Sequence, residues 1–151
     1  MTTLLTVSLY PQVRAALGVL IDDTLLSDSV IAMDLYAGRA QTWLEERDSQ
    51  WATRTGSARQ HLVNAVVLRC AGLLATALPA MTAEKIGDEY SYSGQAPDWQ
   101  ERAGALLADA ESEVQAVIAT DDDEAATAYM PTFFTVARPT TSSGLLGGRG
   151  R

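Results

Sequence analysis

Residues 57–78 constrain the fold more than any other part of the chain. Leu62, Val63, Val66, Val67, Cys70, Leu73, Leu74 and Leu78 nearly encircle a helix drawn through them. A helix apolar on all sides lies at the centre of a bundle or is pressed between subunits. Ser57 suits an N-cap, and Pro79 sets the expected stop at Leu78. Asn64 and Arg69 interrupt the apolar run, so no membrane span is expected there. A chain of 151 residues suggests one domain around such a helix. Folding at that size buries roughly 70% of the unfolded surface, enough for a true core.

Three further segments have helical spacing. One runs from about Leu9 to Leu20, with Pro11 in its first turn and Val13, Ala16, Leu17 and Leu20 on one face. The next starts at Ser27 or Asp28, either of which can cap it, and reaches about Arg47. Val30, Met33, Ala37, Ala40 and Leu44 form its expected stripe, flanked by Tyr36 and Trp43. Asp34, Gln41, Glu45 and Asp48 lie opposite, as a half-buried helix requires. The last starts at Asp98, where Asp98 and Glu101 have capping-box spacing. Its stripe is Trp99, Ala103, Leu106, Leu107, Ala110, Val114, Val117 and Ile118, and its expected end is near Thr120. Residues 79–97 contain GDEYSYSG and predict an ordered loop or a short hairpin.

Beyond Thr120 the character changes. Asp121, Asp122, Asp123 and Glu124 are disfavoured at a helix C-terminus, so the helix is expected to stop there. Met130, Phe134 and Val136 then alternate with polar or small residues, while Tyr129 and Phe133 point the other way, the pattern of one short strand. A lone strand needs partners. The final ten residues, SSGLLGGRGR, hold too much Gly and Ser to order themselves. The expected fold is therefore mainly α. Residues 1–120 form a four-helix bundle-like body with an inter-helix loop or short hairpin, and 121–151 form an extended C-terminal arm.

Charge follows the same division. The chain has 11 Lys and Arg against 19 Asp and Glu, a net charge of −8. That balance argues against a general nucleic-acid binder. Arg138, Arg149 and Arg151 face no acid in the tail, so an acidic body carries a small basic end. The opening MTTLLTVSLYP lacks a basic stretch and is not expected to be a signal peptide.

No catalytic constellation stands out. His61 is the only histidine, and Cys70 lies nine residues further along the same helix. At about 1.5 Å per residue they are too far apart for a Cys–His pair. His61 is expected to be structural or at the surface. Cys70, the only cysteine, cannot form an internal disulfide and is expected to pack as a small apolar group. Lys85 follows no phosphate cradle, and GLLGGRG is not a dinucleotide motif after a strand. Asp22–Asp23 and Asp121–Asp123 lack calcium-loop spacing and read as solvated turns. No enzyme, metal or cofactor is expected. Trp43 and Trp99 fall on apolar stripes and are expected in the core. Trp51, in the polar linker RDSQWATRTG, is a candidate subunit contact.

The run Lys85-Ile86-Gly87-Asp88-Glu89-Tyr90-Ser91-Tyr92-Ser93 is followed by Trp99 and by Ala103-x-x-Leu106-Leu107-x-x-Ala110. With LSDSVIAMDLYAGRAQTWLEER ahead of it, this resembles the head–tail connector (adaptor, or head-completion) family of long-tailed bacteriophages, over about residues 9–118. The GD-x-YS-type run is the distinctive part; the tail matches no motif of the family.

The resemblance implies a structural protein of the virion neck, made in the host cytoplasm. It implies a ring of copies, usually twelve, below the capsid portal, joined to a stopper or tail-tube protein, with DNA passing through the channel. The partners implied are the portal protein and other copies of the chain. By the same analogy Tyr129, Met130, Phe133, Phe134, Val136, Arg138, Arg149 and Arg151 are candidates to dock the arm on portal or neighbour. Trp51, Lys85, Asp88, Tyr90 and Tyr92 are candidates for the subunit interface. The alternative, of a different class, is a cytosolic regulatory or secretion-linked helical protein whose tail docks on one partner.

Overall fold

The computed structural model describes residues 3–18, 21–93 and 98–128, with side chains described over 3–18, 21–80 and 98–121. The chain is mainly helical, and no strand occurs among the described residues. The helices are α1 (Tyr10–Leu17), α2 (Asp28–Ile31), α3 (Arg39–Arg47), α4 (Gly56–Ser93) and α5 (Trp99–Ala128). Helices α1, α3, α4 and α5 form the expected bundle-like body, with α2 as a single extra turn.

The core is built around α4 and α5. Arg54 meets Asp121, His61 meets Glu113, and Gly72 lies against Ala103 and Leu107, so the two helices run antiparallel. Helices α1 and α3 also pack on α4. Covered from three sides, α4 buries Leu62, Ala65, Val66, Val67, Cys70, Ala71, Leu74, Ala75 and Leu78, as a central helix requires. Each fully buried leucine among them contributes about 1.5–3 kcal/mol of transfer free energy. By length and hydropathy alone Gly56–Ala80 is able to cross a membrane, against the sequence expectation. Here 56% of its most apolar window is buried inside the protein.

Helix α1 carries Pro11 in its first turn, as the spacing predicts, and stops at Gly18. Gly18 has φ of 150°, a backbone setting that costs a residue with a Cβ far more than glycine. The buried Arg14 secures the following loop: its Nε donates to the Leu26 carbonyl at 2.8 Å, and it pairs with Asp28. Arg102 of α5 donates to the Ala16 carbonyl in the last turn of α1, where a cation complements the helix dipole. The N-terminal segment lies across α3. Leu4 and Leu5 are buried, and the Leu4 N–H donates to Gln41 Oε1 at 3.0 Å.

Three expectations are corrected. The helix expected from Ser27 or Asp28 to Arg47 breaks at Met33, whose ψ of 141° is extended, and resumes through a π-turn at Asp34–Gly38. A straight helix at 100° per residue would turn Ile31 about 140° away from Tyr36. The break lets Ile31 and Tyr36 both enter the core and leaves Met33 half exposed.

Second, Pro79 does not end the third helix, and the expected loop or hairpin at 79–97 is helical as far as Ser93. Proline deletes one backbone bond at a cost of about 3 kcal/mol. Leu78 and Ala75, both buried before it, fix the helix there, and Met81, Ala83, Glu84 and Lys85 after it are strong helix formers.

Third, the last helix passes Thr120 and the acidic run to reach Ala128, so the body–arm division expected at 120/121 falls inside α5. Arg54 neutralises Asp121 there, and Ala125, Ala126 and Ala128 favour the helix. The Asp98 cap is as expected, its Oδ1 accepting from the N–H groups of Gln100 and Glu101, each at 3.0 Å.

Candidate functional site

The positions expected to make contacts divide into three groups. Tyr129, Met130, Phe133, Phe134, Val136, Arg138, Arg149 and Arg151 lie outside the described residues, as does the expected strand. Lys85, Asp88, Tyr90 and Tyr92 are backbone positions of α4, not of a loop. Trp51 sits in a short 3-10 turn, Trp51–Thr53, its N–H donating to the Asp48 carbonyl at 3.2 Å. It is half-buried against the protein's own core, with part of its surface left exposed.

Beside Trp51 is a charged corner that the sequence does not announce. Arg54 Nε donates to Asp48 Oδ2 at 2.9 Å, and Nη1 donates to Asp121 Oδ1 at 2.6 Å. Asp48 is buried at 5% exposure, so its charge needs this cation. The hydrogen bond from Arg54 holds the Asp121 carboxyl below its ordinary range, and the two aspartates push the Arg54 guanidinium up. The corner ties the α3–α4 connection to the C-terminal half of α5.

His61 is half exposed, and its Nδ1 lies 2.6 Å from Glu113 Oε2, a structural link between α4 and α5. Cys70 is fully buried as expected, and burial pushes its thiol up to about 12. A thiolate nucleophile is thereby suppressed at neutral pH. Asp22 closes a turn, its Oδ1 accepting from Thr24 Oγ1 and from the N–H groups of Thr24 and Leu25. Those bonds, the Thr24 hydroxyl foremost, hold its carboxyl below the ordinary range. Among the described residues no three potential ligands gather into a metal site.

A second charged feature lies between α3 and α4. Arg39, Thr42, Trp43, Glu46, Arg69 and Leu73 line a cleft of about 380 Å³. Trp43 is in the core as expected, and the Arg69 guanidinium carbon lies 4.9 Å from its ring centroid. Trp99 is half-buried against the core. One signal in the sequence points to this cleft: Arg69 is the one cation within the apolar run Leu62–Leu78. Its neighbour Arg39 has no such signal, because only the α3–α4 packing brings the two together.

Comparison with family models, curated proteins and solved structures finds no match to the chain.

Proposed function

We propose that this chain is a structural head–tail adaptor of a tailed bacteriophage. It assembles as a ring below the portal, joins the portal to the next neck or tail component, and surrounds the DNA channel. The reading starts from the resemblance carried by LSDSVIAMDLYAGRAQTWLEER, Lys85–Ser93 and the helix from Trp99. The observation that supports it most is the incomplete cover of α4. This helix is apolar enough to be buried on every side, yet only 56% of its most apolar window is buried in one chain. Val63, Leu68 and Leu73 remain half-buried, surface that neighbouring copies in a ring would cover. The acidic charge suits a channel wall that lets DNA slide without sticking, where the acids face the lumen. In this reading the chain catalyses no reaction and binds no cofactor.

Native mass spectrometry of the purified chain with its portal tests the proposal. A closed ring on the portal is the expected product. A monomer or small oligomer that ignores portal refutes it and favours the single-partner alternative.

A further inference from the structure

The cleft between α3 and α4 holds two cations that form no ion pair among the described residues, although Glu46 lies on its wall. Arg14, Arg47 and Arg54 each pair with a carboxylate. Arg39 and Arg69 pair with none among the described residues, yet they line the same cleft. The Arg69 Nε is buried with no hydrogen-bond partner, so part of this guanidinium has lost water and gained nothing in return. Burial pushes its pKa down, and repulsion from Arg47 and Arg39 adds to this, while Glu111 opposes it. The Arg69 guanidinium carbon lies over the Trp43 ring, 4.9 Å from its centroid, a cation–π contact that holds the charge at the cleft.

The composition indicates which anion. With 19 acidic residues against 11 basic ones, every copy presents surplus carboxylates. Asp23, Asp34, Glu101 and Asp109 are exposed and have no cationic partner among the described residues. A duplex is a poor occupant, because the net charge of −8 and Glu46 on the cleft wall repel a polyanion. A cleft of about 380 Å³ suits one side chain.

We propose that Arg39 and Arg69 receive a carboxylate side chain from a second copy of this chain, with the Thr42 hydroxyl as an additional donor. This rests on the assembly reading and gives it a specific contact. The test is sedimentation velocity of the full chain, comparing wild type with Arg39→Gln, Arg69→Gln and Arg39→Lys, at low and raised salt. Each Gln variant is expected to weaken self-association about tenfold or more, with Arg39→Lys falling between, and raised salt is expected to weaken the wild type. Arg39 is exposed, so its loss leaves the fold intact even where Arg69→Gln does not fold. Self-association unchanged in folded Gln variants overturns the cleft contact and leaves the ring standing. A wild type that stays monomeric overturns the cleft contact, and the ring then stands or falls with the portal experiment. Retention of duplex DNA that Arg39→Gln abolishes overturns the carboxylate and assigns the cleft to phosphate.

Discussion

Two glycines in the central helix pair permit a test in which one substitution has opposite signs. Gly72 in α4 and Gly104 in α5 both sit inside helices, where Gly→Ala is worth about 0.5–1 kcal/mol of helix stability. At Gly104 a Cβ meets nothing within 4 Å, so the full gain is expected. At Gly72 a Cβ falls 2.7 Å from Leu107 Cδ2, 2.8 Å from Leu107 Cγ and 3.4 Å from the Ala103 carbonyl. Rotating the Leu107 methyls does not relieve a contact at Cγ, and the α5 backbone limits retreat.

Overpacking of this kind costs about 1–3 kcal/mol, which outweighs the helix gain and leaves Gly72→Ala destabilised by about 1 kcal/mol. The two variants then differ by about 2 kcal/mol. For a chain of this size that is about 4–8 °C in Tm by thermal circular dichroism. In a Leu107→Ala background the clash is gone, and Gly72→Ala is expected to stabilise. If Gly72→Ala raises Tm as much as Gly104→Ala in the wild-type background, the close approach of α4 and α5 at this level is wrong.

Three other outcomes are expected. Cys70 should resist a thiol reagent near pH 8 in the folded protein and react at the rate of unfolding; rapid labelling under native conditions would show that the α4 core is open. Asp121 is held below its ordinary carboxyl range by Arg54, so the pair stabilises the fold above about pH 4. That stability should be lost as pH falls through the depressed folded value. An NMR titration of Arg54→Gln should return Asp121 to the ordinary range, and an unmoved titration would discount the corner. Finally, truncation after Ala128 should keep the stability of the body, whereas truncation after Thr120 removes Asp121 and should lower Tm; equal melting temperatures would refute a role for the end of α5 in the fold.

Much of the body was legible because its signals are local. The Asp98 cap, Pro11, the stripe of α5 and the all-round apolar face of α4 follow from spacing within one helix. Trp43 and Cys70 went to the core for the same reason. What was not legible depends on distant residues. The break at Met33 pays off only because Ile31 and Tyr36 then reach a core formed largely by α4. The acidic run continues α5 because a cation 67 positions earlier meets its first residue. Pro79 and GDEYSYSG read as breakers in isolation, but a helix already fixed by packing through Leu78 continues past one missing bond. The cleft was half visible: Arg69 interrupts an apolar helix, but nothing in spacing pairs it with Arg39. The inward side of Trp51 was not legible, because polarity of a linker does not reveal which turn it makes.

The Arg54 corner has a mechanical consequence. It fastens α5 to the start of α4 only seven positions before α5 ends at Ala128. Tension on that end therefore enters the body first through a charged clasp and then along the side of an antiparallel helix pair. Such a load makes the helices slide past each other, so many side-chain contacts must yield together. A pull from the other end of α5 would begin at the Asp98 cap and the Arg102–Ala16 contact, and the first ion pair it meets is the longer, more exposed Arg47–Glu111 contact at 3.4 Å. The body is thus stiffer to force at its C-terminal side, and stretching single molecules from Ala128 should require more force than stretching them from Asp98.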